Sequence, residues 1–238
     1  MAFTLDQIVP WGRSFDEYKA MFGLSPEDLE KRLLGCSDGP ASFNCVLTRR
    51  GGRIVSADPL YHFSKDEIGK RIDETYAEVM EQTRKNEHEF VWAHITSVEE
   101  LGSIRMDAMN KFLSDYTAGQ QQGRYVAAAL PDLPFKDKEF DIALCSHFLF
   151  LYSGQLPEDF HFASIKELCR VAAEARIFPL LELGAKRSRH LEKIIGRLQT
   201  EGYDVRMEKV AYEFQKGGNE MLKVMTSSHR IIPSPLYS

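Results

Sequence analysis

Two glycines and an acid carry the first chemical signal in this chain. In the stretch KRLLGCSDGPASF, from Lys31 to Phe43, Gly35 and Gly39 bracket a turn between an apolar run and a predicted helix. Glycine at such a corner lets backbone approach a ligand closely and turn where side chains resist. Asp58 follows 23 positions after Gly35, at the end of a second apolar run, RIVSA. In a doubly wound sheet, a turn and an acid so placed face one crevice, and the acid accepts hydrogen bonds from ribose hydroxyls. Glycine pair and acid together point to a nucleoside ligand, while Asp58-Pro59 alone would read as a plain turn signal. A dinucleotide does not fit. A G-x-G-x-x-G pattern starting at Gly35 would need glycines at Ser37 and Pro40, and Pro40 has no amide hydrogen to offer a pyrophosphate. No G-x-x-x-x-G-K-[ST] phosphate loop occurs either.

The elements that must position these residues follow from capping and periodicity. Ser14 with Glu17, and Ser25 with Pro26 and Asp28, start two short helices ahead of the first strand, so residues 1–30 are expected to be a helical segment. Lys31 to Gly35 reads as a strand, Pro40 as the first turn of the next helix, and Arg53 to Ala57 as a second strand. From Ser64 to Gly123 the pattern is polar and helical. Ser64 with Glu67 and Ser97 with Glu100 suggest capping boxes for two long amphipathic helices. This exceeds what a strand-helix-strand crossover needs, so 64–123 is read as an insertion, serving as a lid or a dimer contact. Strands are expected at Arg124 to Leu130, Glu139 to His147 and Ala175 to Leu183, with Pro179 marking a strand end. Helices are expected at Leu156 to Ala173 and Ser188 to Thr200. Tyr203 to Val210 and Met221 to Met225 are strands whose short connection makes them antiparallel. The fold class is therefore α/β: a Rossmann-like, doubly wound, mostly parallel sheet of seven strands with one antiparallel, with a helical insertion after the second strand.

Composition narrows the function classes. The chain has 238 residues, 43% apolar and 27% charged, with a formal charge of -5. No basic run is long enough to track phosphates, which argues against nucleic acid. The N-terminus lacks a signal-peptide pattern and no apolar run approaches a membrane span, so a cytoplasmic protein is expected. Cys36, Cys45, Cys145 and Cys169 lie in apolar segments without metal spacing and read as buried thiols; no metal site is expected.

Taken together, these motifs resemble the class I S-adenosylmethionine-dependent methyltransferases, and a poorly characterised bacterial branch of them. LLGCSDGPASF resembles their first motif, GRIVSADP the second strand with its ribose-binding acid, LPDLPFKDKEFDIALCSHFL the third and fourth motifs, and LCRVAAEARIFPL the helix and fifth strand. The likeness runs from about Lys31 to Met225, within a methyltransferase-like domain of 31–238. It implies S-adenosyl-L-methionine as cofactor. Gly35, Cys36, Ser37 and Gly39 would pack on its methionine part, Asp58 would take the ribose, Leu60 would touch the adenine, and Ala129 and Leu130 would line the adenine edge. Ser146 and His147 would lie beside the methionine and the substrate entrance. Two positions depart from the pattern: Ser37 stands for the usual central glycine, and Ala129 for an acid that holds the adenine amine, with Asp132 three residues later.

A helix before the first strand can fold over such a site, which brings Arg13, as a partner for the cofactor carboxylate, and Tyr18 into the cofactor set. If the acceptor must lose a proton, His147 is the first candidate base and Tyr152 the next, with Tyr61 and His62 behind them. Each also reads as an ordinary packed or hydrogen-bonded residue. Motifs for amino-group or cytosine-carbon methylation of DNA are absent, so a small-molecule substrate is expected, with a homodimer possible through the insertion. The alternative is a non-catalytic module of the same fold that binds S-adenosylmethionine or another nucleoside.

Overall fold

The computed structural model describes residues 10–226. Two capped helices come first among the described residues. In α1 (Phe15–Met21) and α2 (Pro26–Leu29), Ser14 with Glu17 and Ser25 with Asp28 form complete capping boxes, as expected. β1 (Arg32–Cys36), α3 (Phe43–Arg49) and β2 (Arg53–Ala57) follow. The insertion contributes α4 (Lys65–Lys85) and α5 (Val98–Gln121). After it come β3 (Tyr125–Val126), β4 (Phe140–Ser146), α6 (Glu158–Val171) and β5 (Ala172–Phe178). A two-residue hairpin pair, β6 (Leu181–Glu182) and β7 (Lys186–Arg187), precedes α7 (Leu191–Thr200), β8 (Tyr203–Lys209) and β9 (Glu220–Thr226).

Seven strands form the main sheet in the order β3-β2-β1-β4-β5-β9-β8. β2, β3 and β4 run parallel to their neighbours, and β9 is antiparallel to both β5 and β8. This is the doubly wound sheet with one reversed strand that the sequence led us to expect. The winding reverses between β1 and β4, which are paired from Leu33 with Ile142 to Cys36 with Cys145. Ligands of such sheets sit beyond the carboxyl ends of the strands at that reversal.

Period-two side-chain alternation builds two cores from these strands. Leu34, Ala143 and Cys145 face α6 and α7 through Ile165, Leu168 and Ile194. Leu33, Ile142 and Leu144 face the other way, onto Phe15 and Tyr18 of α1 and Phe43 of α3. Each large apolar side chain buried in this way stabilises the fold by roughly 1.5–3 kcal/mol. The four cysteines are buried free thiols. Among the described residues, no helix is long and apolar enough to cross a membrane.

Several boundaries differ from expectation for local reasons. α3 begins at Phe43, so Pro40 lies in the turn rather than in the helix. β3 covers only two of the residues expected from Arg124 to Leu130, because the chain leaves the sheet edge and Ala129 folds back to bridge Asp132. β5 starts at Ala172, three residues early, and stops before Pro179. At α5, Ser97 caps the Glu100 amide as expected, but the Glu100 carboxylate reaches back one residue further, to the amide and hydroxyl of Thr96.

Candidate functional site

A cavity of about 400 Å³ opens at the carboxyl ends of β1, β2 and β4. Its size falls within the range of about 300–1,000 Å³ that suits small-molecule sites.

The turn after β1 forms its floor. Ser37 adopts φ 57°, the left-handed conformation that favours glycine, and its amide donates to Ala57 O at 2.8 Å. The serine at the glycine position therefore keeps the glycine-type backbone, at a cost of order 1–3 kcal/mol. The next residue, Asp38, folds back over β1. A Cβ at Gly35 would lie 1.7 Å from Asp38 Oδ2, so Gly35 is needed to admit this carboxylate. Asp38 accepts hydrogen bonds from the Tyr18 phenol at 2.9 Å and the Ser56 hydroxyl at 2.8 Å. Burial raises its carboxyl to about 7, against the pull of those two hydroxyls.

Asp58 faces the same cavity from the end of β2. Its two oxygens accept from the Gly39 amide at 2.8 Å and the Leu60 amide at 2.7 Å, which ties the two turns together. Burial raises the Asp58 carboxyl, and the two amides oppose the shift. Tyr61 donates to Gly39 O at 2.8 Å. Tyr116 of α5 in turn donates to the carbonyls of Tyr61 and Phe63, so the insertion holds the loop that presents Leu60. Among the described residues neither Asp38 nor Asp58 has a cationic side chain at ion-pair distance.

The chain ahead of α1 crosses over the β1–α3 turn. Gly12 permits the crossing, since a Cβ there would lie 2.1 Å from Pro40 O, and the Ser42 amide donates to Arg13 O at 3.0 Å. Arg13 thereby lines the cavity. One of its terminal nitrogens donates to Trp11 O at 3.1 Å, and its buried Nε has no hydrogen-bond partner among the described residues. Arg105, only 1% exposed on α5, also lines the cavity; it pairs with Glu17, and its Nε likewise lacks a partner. Tyr212 donates to the other Glu17 oxygen at 2.9 Å. Burial alone would raise the Glu17 carboxyl, but Arg105, the Ser14 amide and Arg13 outweigh it and bring it to about 2.

His147 follows β4 with φ 51°. Its amide donates to Phe178 O at 2.7 Å, and Nδ1 lies 2.9 Å from Ser146 Oγ. Ser146 in turn interacts with the Tyr18 phenol, which donates to Asp38. With Nδ1 protonated toward Ser146, this chain of groups leaves Nε2 with a free lone pair. Burial, then Arg13 and Arg105, hold the imidazole well below its ordinary value, so it is neutral at pH 7.

Most residues expected from the sequence meet at this cavity. Ser37, Gly39, Asp58 and Leu60 line one side; Ala129, Leu130 and Ser146 continue it; Arg13, Tyr18, His147 and Tyr152 complete it. Gly35 and Cys36 are not on its wall. Gly35 acts by making room for Asp38, and Cys36 is a buried core thiol. Asp132 is exposed and off the cavity, so no acid replaces the one missing at Ala129. His62 is also off the wall, and Tyr61 buttresses Gly39 from the core. Asp38, Arg105 and Tyr212 were missed. For Asp38 the sequence offered only its place inside the glycine turn, where Ser-Asp-Gly also reads as an ordinary turn. None existed for Arg105, whose partner Glu17 lies 88 positions away.

Comparison with known proteins adds the following. No family model matches the chain. The uncharacterised protein MJ0045 of Methanocaldococcus jannaschii is 35% identical over 221 residues, covering 92% of this chain and 96% of that protein. Solved structures give weaker likenesses. Magnesium protoporphyrin IX methyltransferase from Synechocystis, with bound SAM, is 12% identical over 90% of this chain and 91% of its own, with a TM-score of 0.42. A TehB-like SAM-dependent methyltransferase from Corynebacterium glutamicum is 14% identical over 89% and 86%, at 0.45. A putative S-adenosyl-L-methionine-dependent methyltransferase from Methanococcus maripaludis is 10% identical over 92% and 85%, at 0.47.

Proposed function

This chain belongs to one family with that archaeal protein, and from its cavity we propose that it is an S-adenosylmethionine-dependent methyltransferase acting on a small molecule. One observation carries the reading: a buried carboxylate, the Arg13 guanidinium with no carboxylate at ion-pair distance among the described residues, and a strand-end acid line a single cavity at the reversal of the sheet. Their charges complement the ligand group by group. Asp38, lacking a cationic partner, suits the α-ammonium of the methionine part, and the Arg13 guanidinium suits its carboxylate. Asp58 suits two ribose hydroxyls. Leu60, Ala129 and Leu130 offer an apolar edge for the adenine.

The cofactor would supply a sulfonium methyl group that is already activated for in-line displacement. The protein's work is then to orient the acceptor, exclude water and take a proton where the acceptor carries one. His147 would take the last task, a role supported by its position on the cavity and by Ser146 Oγ at 2.9 Å from Nδ1, which leaves Nε2 for the acceptor. Tyr152, buried in the wall, shapes the cavity. A cytoplasmic location and the absence of a nucleic-acid substrate belong to the same reading. The second reading, a module of this fold that binds the nucleoside without catalysis, is favoured by Ala129, where no acid meets the adenine amine.

Calorimetric titration with S-adenosylhomocysteine tests the reading. Binding by the native protein and a loss of about tenfold to hundredfold in Asp58→Ala are expected, the worth of roughly 1.5–3 kcal/mol for hydrogen bonds to a charged group. No binding by the native protein overturns it. Binding without methyl transfer from S-adenosylmethionine to any compound in a metabolite extract would favour the second reading.

A further inference from the structure

Asp38, Tyr18, Ser146 and His147 form one hydrogen-bonded chain along the cavity wall, and its far end is fixed. Arg124 Nη1 donates to Asn44 Oδ1 at 2.7 Å, which sets the orientation of that amide. Asn44 Nδ2 then donates to Ser56 Oγ at 3.1 Å, so the Ser56 hydroxyl is left to donate to Asp38 Oδ2 at 2.8 Å. With Oδ2 engaged as an acceptor, a proton on Asp38 belongs on Oδ1, which lies 2.9 Å from the Tyr18 phenol. Tyr18 is hydrogen-bonded to Ser146, and Ser146 Oγ lies 2.9 Å from His147 Nδ1. Each hydroxyl has one hydrogen, so an unbroken chain has all of its bonds pointing one way.

We propose that Tyr18 and Ser146 are positioning residues that couple the charge of Asp38 to the tautomer of His147, so that the imidazole is a base toward the cavity only while Asp38 is an anion. With a carboxylate, Tyr18 donates to Oδ1, Ser146 donates to Tyr18, and His147 Nδ1–H donates to Ser146, which leaves the Nε2 lone pair free. With a carboxylic acid every bond reverses. Oδ1–H donates to Tyr18, Tyr18 to Ser146, and Ser146 to Nδ1, so the ring hydrogen sits on Nε2. On balance Asp38 takes one proton from water, while the imidazole stays neutral, releasing its Nδ1 hydrogen and taking one at Nε2. Asp38 is the group that titrates. Burial sets it at about 7, with the Asp58 charge adding to the shift. The thiols of Cys36 and Cys145 and the phenols of Tyr18 and Tyr61 also face it; burial pushes all four up, so they stay neutral. His147 faces Arg13 and Arg105, which add to burial in keeping it neutral. A ligand ammonium that ionises Asp38 thus arms the base as the cofactor arrives.

The consequence for turnover rests on the reading proposed above; the coupling itself does not. Long-range proton–nitrogen NMR of protein labelled with 15N-histidine tests it, since the bare ring nitrogen resonates far from the protonated one. His147 is identified among the seven histidines by its absence from the spectrum of His147→Gln. The expected result is hydrogen on Nε2 at about pH 6 and on Nδ1 at about pH 8, and on Nδ1 already at pH 6 once S-adenosylhomocysteine is bound. In Asp38→Asn, whose amide donates toward Tyr18 as the acid does, hydrogen should stay on Nε2 at both pH values. Tyr18→Phe keeps the ring that stacks on Phe43 at 4.7 Å, and its tautomer should no longer follow pH. Ser146→Ala, a change on a different element, should uncouple the two groups in the same way. One tautomer across the range in the native protein, or a pH response that survives in Tyr18→Phe or Ser146→Ala, overturns the inference. S-adenosylhomocysteine that binds with hydrogen still on Nε2 at pH 6 overturns it and leaves the methyltransferase reading intact. A pH response without S-adenosylhomocysteine binding upholds the coupling and removes the methyltransferase reading.

Discussion

Asp38 is a carboxyl group held out of water by a tyrosine, a serine and its own turn, and its proton is the most informative one in the molecule. With the group near pH 7 in the free protein, pairing with a ligand ammonium should pull its proton off. Calorimetry with S-adenosylhomocysteine at pH 7, in buffers of different ionisation enthalpy, should therefore report proton release, and Asp38→Asn should abolish the buffer dependence. The same group sets a slope in stability. Its folded value lies above the ordinary 3.8, so its contribution is full below about pH 4 and is lost as pH rises through about 7. Asp38→Asn should flatten the melting temperature across that window. At His147 the shift runs the other way. A neutral base with a depressed value stays active in acid, so the acid limb of the rate profile should fall below pH 6.5, and His147→Ala should lower kcat by about 10²–10⁴ without loss of cofactor affinity. At this scale the sequence was partly legible. Asp58 announced itself by its spacing from Gly35. Asp38 did not, because Ser-Asp-Gly reads as an ordinary turn until Tyr18 and Ser56 are seen to close over it.

At the scale of the element, the β1–α3 turn is built around one missing side chain. Gly35→Ala should push Asp38 from its seat and destabilise the protein by about 1–3 kcal/mol, the usual penalty for overpacking. Gly35→Ala combined with Asp38→Ala should recover part of that loss, and a double-mutant cycle in denaturant would measure it. Elements governed by local rules were legible in the sequence: the boxes at Ser14, Ser25 and Ser64, and the seven strands with one reversed. Ends governed by neighbours were not. β3 stops early because the chain turns away from β2 and Ala129 folds back to bridge Asp132, and nothing in Arg124 to Leu130 records that. The insertion was legible as two helices, with a lid and a dimer contact as its alternative roles. Its amphipathic pattern says that one face is buried; Tyr61 and Tyr125 decide what that face covers, and Phe90, in the loop between the helices, stacks on Phe214.

At the scale of the whole molecule, ligand binding and folding share one free energy. A ligand that binds only the folded chain at 100 times its dissociation constant adds about 2.7 kcal/mol. S-adenosylhomocysteine should therefore raise the melting temperature of the native protein, and should do so much less for Asp58→Ala; equal shifts would mean that the strand-end acid does not touch the ligand. Phe90 and Phe214, stacked with centroids 4.9 Å apart, both border the cavity although they lie far apart in the sequence. The cavity therefore closes only when distant stretches of chain have met, and a fragment lacking either ring has no complete berth for a small molecule.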